Sequence, residues 1–159
     1  MLTTAALMLS FIEVIIPLDF LPLPGFRIGL ANIAVTVAAY ALSPVHAAVV
    51  SLLRMIIVFL LFGSPTSFIF SLCGGALVMI ALFILKDHSS RLSFIGISVI
   101  CATLHNLGQF TAAWFLVGSA VAAYLPFLSL ASLVFGTLNG IILNLLPDKI
   151  YNFSGERSL

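Results

Sequence analysis

Residues 92–115, LSFIGISVICATLHNLGQFTAAWF, form an apolar run without a charged side chain. A helix of about 20 such residues crosses the hydrocarbon core of a bilayer. His105, Asn106 and Gln109 interrupt the run near its middle, although a polar group without a hydrogen-bond partner is costly in lipid. The run therefore predicts a transmembrane helix, and its polar residues raise the question of what they contact.

The composition of the whole chain also indicates that it lies in a lipid bilayer. Of the 159 residues, 62% are hydrophobic and 7% are charged, and the mean hydropathy is +1.29. Such a chain has too little polar surface for a soluble domain, so the lipid bilayer is its first predicted partner. The net charge of +1 gives no electrostatic reason to expect a nucleic-acid partner. Cys73 and Cys101 lie in apolar segments without a Cys-x-x-Cys spacing, which favours buried thiols.

The predicted fold class is an all-α integral membrane protein, a bundle of about six transmembrane helices. Proline, glycine and charged residues separate the predicted spans, which cover residues 4–18, 28–43, 44–62, 66–85, 92–116 and 124–146. The first two spans are short, which predicts a tilted, kinked or re-entrant segment. Residues 17–27 contain three prolines and cannot continue a helix. We predict one transmembrane domain over residues 1–146 and a short cytoplasmic tail over residues 147–159.

The distribution of positive residues predicts the orientation in the membrane. In a bundle of six spans, one side holds Lys86, Arg91, Lys149 and Arg157, and the other holds only Arg27. Cytoplasmic loops carry the excess of lysine and arginine. We therefore expect a multi-pass protein of the cell membrane with both termini in the cytoplasm.

The acidic residues argue against an enzyme. They are Glu13, Asp19, Asp87, Asp148 and Glu156, and no two lie near each other in the sequence. A site for diphosphate and magnesium needs several converging carboxylates. The chain also lacks the G-x-x-x-x-G-K-[ST] loop that holds nucleotide phosphates. We therefore predict no catalytic residue, no metal site and no cofactor.

Two charged residues, Glu13 and Arg54, fall deep within predicted spans. An arginine at a helix centre costs about 2.5–3.5 kcal/mol on insertion scales, so Arg54 should face the bundle interior or water. Two interpretations stay open at this point. The two residues form a structural salt bridge between the first and third spans, or they recognise an anionic substrate.

Uncharged polar residues extend this set. Hydrogen bonding between helices explains a lone intramembrane asparagine well enough. The three polar side chains of HNLGQ, residues 105–109, exceed what packing requires, so we expect them to face a cavity. The predicted substrate-binding residues are Glu13, Asn32, Arg54, His105, Asn106, Gln109 and Asn139.

Small residues predict close contacts between helices. Such residues occur at Gly74-Gly75, at Gly136-x-x-x-Gly140 and, with a weaker pattern, at Ala6-x-x-x-Ser10. They let helix backbones approach each other, either inside this bundle or against another membrane subunit. The sequence leaves both possibilities open.

Four motifs resemble a known family of membrane proteins. They are GLANI at 29–33, VSLLRM at 50–55, FSLCGG at 70–75 and HNLGQ at 105–109. In this order they resemble the Gx transporter family, whose members are also described as heptaprenyl diphosphate synthase component I. These proteins are similar to the S components of energy-coupling factor transporters. The resemblance extends from Glu13 to about Leu146.

The resemblance implies an S-component-like bundle that captures a small-molecule substrate. In such systems the bundle docks on a transmembrane coupling subunit that two cytoplasmic ATPases drive. The alternative that the family description implies is a non-catalytic accessory subunit of a heptaprenyl diphosphate synthase in isoprenoid or quinone biosynthesis. A structural membrane scaffold is a third possibility, against which the buried polar residues argue.

Overall fold

A computed structural model describes residues 2–15, 29–62, 65–86 and 92–146. These residues form six α-helices and one 3₁₀ helix, namely α1 (Leu2–Ile15), α2 (Ala31–Ala41), α3 (Pro44–Phe62), α4 (Pro65–Lys86), α5 (Phe94–Val117), the 3₁₀ helix (Ser119–Tyr124) and α6 (Leu125–Leu145). Some sequence predictions lie outside the described residues, namely those on the proline-rich segment 17–27, the tail 147–159, Arg27, Arg91, Lys149 and Arg157.

The distribution of side chains is that of a protein surrounded by lipid. Large apolar side chains point outward along the helices, and Phe115 and Leu60 are 83% and 74% exposed. The charged residues Glu13 and Arg54 are buried instead. Soluble proteins rarely bury glutamate or arginine and rarely expose apolar side chains so continuously. This inversion indicates that the outer surface contacts lipid.

Among the described residues, four segments are long and apolar enough to cross a membrane: α3, α4, α5, and α6 together with the 3₁₀ helix before it. The protein is therefore a multi-pass membrane protein, and the predicted all-α membrane bundle is confirmed. The ends of α3 to α6 lie within two residues of the predicted spans.

Proline, serine and glycine fix several of these helix ends. Pro44 and Pro65 are the first residues of α3 and α4, where a proline has no helical hydrogen bond to lose. Ser93 caps α5, because its Oγ accepts a hydrogen bond from the Gly96 N–H at 3.1 Å. Gly118 ends α5 with a φ of 90°, a conformation that favours glycine.

Helices α1 and α2 are much shorter than the four long segments. They have 14 and 11 residues, so they are about 21 and 16 Å long. The hydrocarbon core is about 30 Å thick. The span predicted over residues 28–43 is therefore too long by several residues, because a turn at Gly29 and Leu30 precedes α2. Every residue of α2 is buried, and α2 contacts each of the other five helices. It forms the centre of the bundle.

Glycines hold α5 close to its two main neighbours, α4 and α6. A Cβ at Gly108 would lie 2.5 Å from the Cys73 carbonyl oxygen on α4. A Cβ at Gly140 on α6 would lie 2.4 Å from Cα of Ile95, and one at Gly136 would lie 2.7 Å from Cα of Val99. These helix backbones therefore touch, which requires glycine at the contact.

The remaining small residues of the sequence analysis also lie inside the bundle. A Cβ at Gly75 would lie 2.2 Å from Cε of Met55 on α3. Gly74 packs against the ring of His105. Ala6 and Ser10 on α1 are completely buried.

Candidate functional site

The site begins with the turn at Gly29 and Leu30, directly before α2. A Cβ at Gly29 would lie 3.0 Å from Nδ2 of Asn32 and 3.8 Å from Cδ2 of His105. His105 lies halfway along α5. The amino-terminal end of α2 is therefore in the interior of the bundle, at the level of the middle of α5. Irregular backbone at such a depth is tolerated only where protein or a polar cavity surrounds it.

Arg54 connects three helices from the middle of α3. Its Nη1 donates to Oγ of Ser10 on α1 at 3.3 Å, and its Nη2 donates to Oδ1 of Asn32 on α2 at 3.0 Å. Ser10 in turn donates to the Ala6 carbonyl at 2.9 Å, which leaves its lone pairs for the guanidinium. Arg54 is only 3% exposed. Its charge is thus held inside the bundle by hydrogen-bond acceptors from two other helices.

Glu13 and Asn139 both bond the backbone of the turn before α2. Oε1 of Glu13 on α1 accepts a hydrogen bond from the Leu30 N–H. A carboxylate at this position also interacts favourably with the positive end of the α2 dipole. Nδ2 of Asn139 on α6 donates to the Gly29 carbonyl at 3.4 Å. Gly29 has a φ of 88°, so the turn itself favours glycine.

Five of the seven predicted substrate-binding residues therefore meet around one turn. We call them the polar cluster: Glu13, Asn32, Arg54, His105 and Asn139. They come from α1, α2, α3, α5 and α6. His105 is 2% exposed, and its ring packs directly on the backbone of α4, because a Cβ at Gly74 would lie 2.7 Å from Nδ1 of His105.

The structure does not bring Asn106 into the polar cluster. Its Nδ2 donates to the Leu128 carbonyl at 3.2 Å and to Oγ of Ser132 at 2.8 Å, both on α6. Adjacent helical residues point about 100° apart, and here His105 packs on α4 while Asn106 bonds α6. Gln109 is buried one helical turn beyond His105, on the same side of α5. The HNLGQ motif therefore serves two different contacts of α5.

Ser98 is a polar residue near the cluster that the sequence analysis missed. It lies on α5 seven residues before His105, a spacing that places both on one face of a helix. That spacing is the signal that could have identified it. Ser98 lines a small cavity next to the turn, together with Asn32, Thr36 and Asn139.

The comparison with protein families covers almost all of the described chain. A family model described as heptaprenyl diphosphate synthase component I matches residues 2–146. The chain belongs to the heptaprenyl diphosphate synthase component I family. No curated protein and no solved structure shows significant similarity to it.

The chemical groups of the polar cluster indicate what kind of contacts this component I chain makes in its interior. Among the described residues, no three His, Cys, Asp or Glu side chains lie close enough to hold a metal ion. The polar cluster combines one carboxylate, one guanidinium, one imidazole and two carboxamides. Such a set offers hydrogen-bond donors and acceptors, and Arg54, Glu13 and Asn139 use them to hold elements of the bundle together.

Proposed function

We propose that this chain is the non-catalytic membrane subunit of a heptaprenyl diphosphate synthase. It would work with a separate catalytic prenyltransferase subunit in isoprenoid or quinone biosynthesis. The observation that carries the proposal is the family match over residues 2–146. The multi-pass membrane bundle is consistent with it, because the product of such a synthase belongs in the bilayer.

The physical role of a membrane subunit follows from the product. A long isoprenoid diphosphate has an anionic head group and an apolar tail, and each buried CH₂ group favours the membrane by about 0.8 kcal/mol. A catalytic subunit held at the bilayer could extend the tail directly into lipid. The outward apolar side chains of this bundle provide the anchor that such a complex needs.

The distribution of carboxylates supports a non-catalytic role. No two of the five acidic residues of the chain lie within four positions of each other, so none forms a paired motif. Activation of a diphosphate by magnesium requires converging oxygen ligands. We therefore assign prenyl transfer to the catalytic partner.

A second candidate function is substrate binding in an energy-coupling factor type transporter. Its partners would be a transmembrane coupling subunit and two cytoplasmic ATPases. The observation that favours it is the short helix α2, which begins inside the bundle among polar residues from five helices. Transporters often place their substrate sites at such helix ends near the bilayer midplane. The polar cluster would then be the substrate-binding site.

Reconstitution with each set of partners distinguishes the two functions. In vesicles with the catalytic prenyltransferase subunit, we expect the chain to raise the rate of long-chain product formation several-fold. Incorporation of labelled isopentenyl diphosphate measures that rate, and vesicles without the chain provide the baseline. Co-expression with the coupling subunit and ATPases should give no ATP-dependent uptake. Uptake without any stimulation of prenyl transfer would contradict the proposal and support the transporter.

A pair of variants shows whether the polar cluster contributes to either activity. Asn32→Leu removes an acceptor of Arg54, whereas Thr103→Val changes an exposed residue of α5 that bonds only its own helix, through the Val99 carbonyl. A transporter should lose uptake in Asn32→Leu and keep it in Thr103→Val. A synthase subunit that still folds should stimulate prenyl transfer in both.

We also propose that residues 1–146 form a single membrane domain and that both termini are cytoplasmic. The positive residues support this orientation, since four lie on the side assigned to the cytoplasm. Residues 147–159 would then form a cytoplasmic tail.

Cysteine labelling tests the orientation. In a chain whose Cys73 and Cys101 are replaced by alanine, single cysteines at Ser89 and Ser158 should not react with an impermeant thiol reagent in intact cells. Both should react after lysis, which confirms that the thiols are accessible. Labelling of either position in intact cells would contradict the orientation.

A further inference from the structure

A small cavity lies between α2, α5 and α6, next to the turn at Gly29. Its volume is ≈ 10 Å³, which is room for about one water molecule. Its walls combine polar and apolar side chains. They are formed by Gly29, Asn32, Ile33, Thr36, Ser98, Cys101, Ala102, Asn139 and Leu143.

Two residues that line this cavity each have a buried polar atom without a hydrogen bond to any residue that the structure describes: Oδ1 of Asn139 and Oγ of Ser98. Both side chains are 5% exposed. Asn139 already uses its Nδ2 to donate to the Gly29 carbonyl, so its Oδ1 is left as a buried acceptor. Buried carbonyl and hydroxyl oxygens in proteins are nearly always hydrogen-bonded. The cavity therefore suits an occupant that donates hydrogen bonds.

We propose that the cavity is a binding site for a single ordered water molecule. The water donates one hydrogen bond to Oδ1 of Asn139 and forms a second with Oγ of Ser98. The hydroxyl of Thr36 lies in the same wall and offers a third partner. Buried waters usually make about three such bonds, and they occupy sites of this size and polarity.

The bound water also fixes the position of one residue of the polar cluster, Asn139. A water bound to Oδ1 fixes the orientation of the Asn139 amide, so that Nδ2 stays directed at the Gly29 carbonyl. Asn139 then holds the turn before α2 in place. The lining also includes the apolar residues Ile33, Ala102 and Leu143, and a volume of ≈ 10 Å³ is too small for a larger ligand group.

Radiolytic footprinting of the purified full-length protein tests the proposal. Hydroxyl radicals formed from a bound water oxidise the side chains that it touches. Leu143 lines the cavity and Leu82 does not, although the two leucines are 1% and 0% exposed. We expect oxygen addition at Leu143 to be several-fold faster than at Leu82. Equal rates at the two leucines would overturn the proposal.

A cavity-filling variant provides the second arm of the experiment. Ser98→Val removes one partner of the water and places a methyl group in its space, so oxidation of Leu143 should fall to the rate of Leu82. Thr103→Val on the exposed side of α5 is the matched control and should leave the Leu143 rate unchanged. A persistent fast rate in folded Ser98→Val would overturn the proposal. An organic molecule that native mass spectrometry detects in the wild-type protein and that Ser98→Val releases would also overturn it. The wild-type comparison of the two leucines decides the matter if Ser98→Val does not fold.

Discussion

Replacing Arg54 with alanine should lower the free energy of unfolding by about 1–3 kcal/mol for each of the two buried acceptors that it leaves without a donor. The guanidinium donates to Ser10 and Asn32, and both acceptors are buried. Its removal would leave Oγ of Ser10 and Oδ1 of Asn32 without the donor that they accept from. Chemical denaturation in detergent, followed by circular dichroism, measures the loss.

Two control variants separate the contributions of charge and geometry. Arg54→Lys keeps the positive charge, but a single ammonium cannot reproduce the forked donors of a guanidinium. Its stability should therefore lie between those of the wild type and Arg54→Ala. Leu53→Ala changes the neighbouring, exposed residue and should alter the free energy of unfolding by only about 0.5 kcal/mol. A wild-type stability for Arg54→Ala would show that the hydrogen bonds of Arg54 do not hold the bundle.

A double-mutant cycle then distinguishes the two interpretations of Glu13 and Arg54. Glu13 bonds the Leu30 N–H and Arg54 bonds Asn32, so both residues contact the start of α2. If the two charges stabilise each other, Glu13→Ala combined with Arg54→Ala should cost less than the sum of the single changes. Additive losses would contradict the structural coupling. Recognition of an anion would instead appear as unchanged stability with lost ligand retention.

The four long helices could be predicted from the sequence because local features determine them. An apolar run of sufficient length predicts a span, and Pro44, Pro65, Ser93 and Gly118 mark ends that depend only on neighbouring residues. Helix α2 was harder to predict. Its apolar sequence resembles a span, but its start depends on the turn at Gly29, which side chains from α1 and α6 hold in place.

Individual residues of the candidate site could be predicted from the sequence, but the contacts between them could not. Burial of polar side chains in lipid is costly, so their presence alone identified Arg54 and Glu13 as important. Which helix each polar residue faces depends on how the helices pack. His105 and Asn106 are neighbours in the sequence, yet one packs on α4 and the other bonds α6. The prediction that all three HNLGQ side chains face one cavity rested on their proximity in the sequence alone.

The second large effect is expected at Gly108, where α5 touches α4. A Cβ there would lie 2.5 Å from the Cys73 carbonyl oxygen and 2.7 Å from Cα of Gly74. These are backbone atoms, so no change of rotamer relieves the overlap and the two helices must move apart. Gly108→Ala should therefore lower the free energy of unfolding by about 1–3 kcal/mol, the typical cost of overpacking a core.

The same helix offers a matched control for this prediction. Gly96 is also in α5, but the one described atom that a Cβ there would meet is Oγ of Ser93, at 3.6 Å, which is ordinary contact. Gly96→Ala should therefore leave the stability unchanged or raise it by up to about 1 kcal/mol through its higher helix propensity. Denaturation of both variants in the same detergent measures the difference. If the two variants were equally stable, α4 and α5 could not be in backbone contact at Gly108. That contact also brings Gly74 against His105, so separating the helices would loosen the polar cluster from the side of α4.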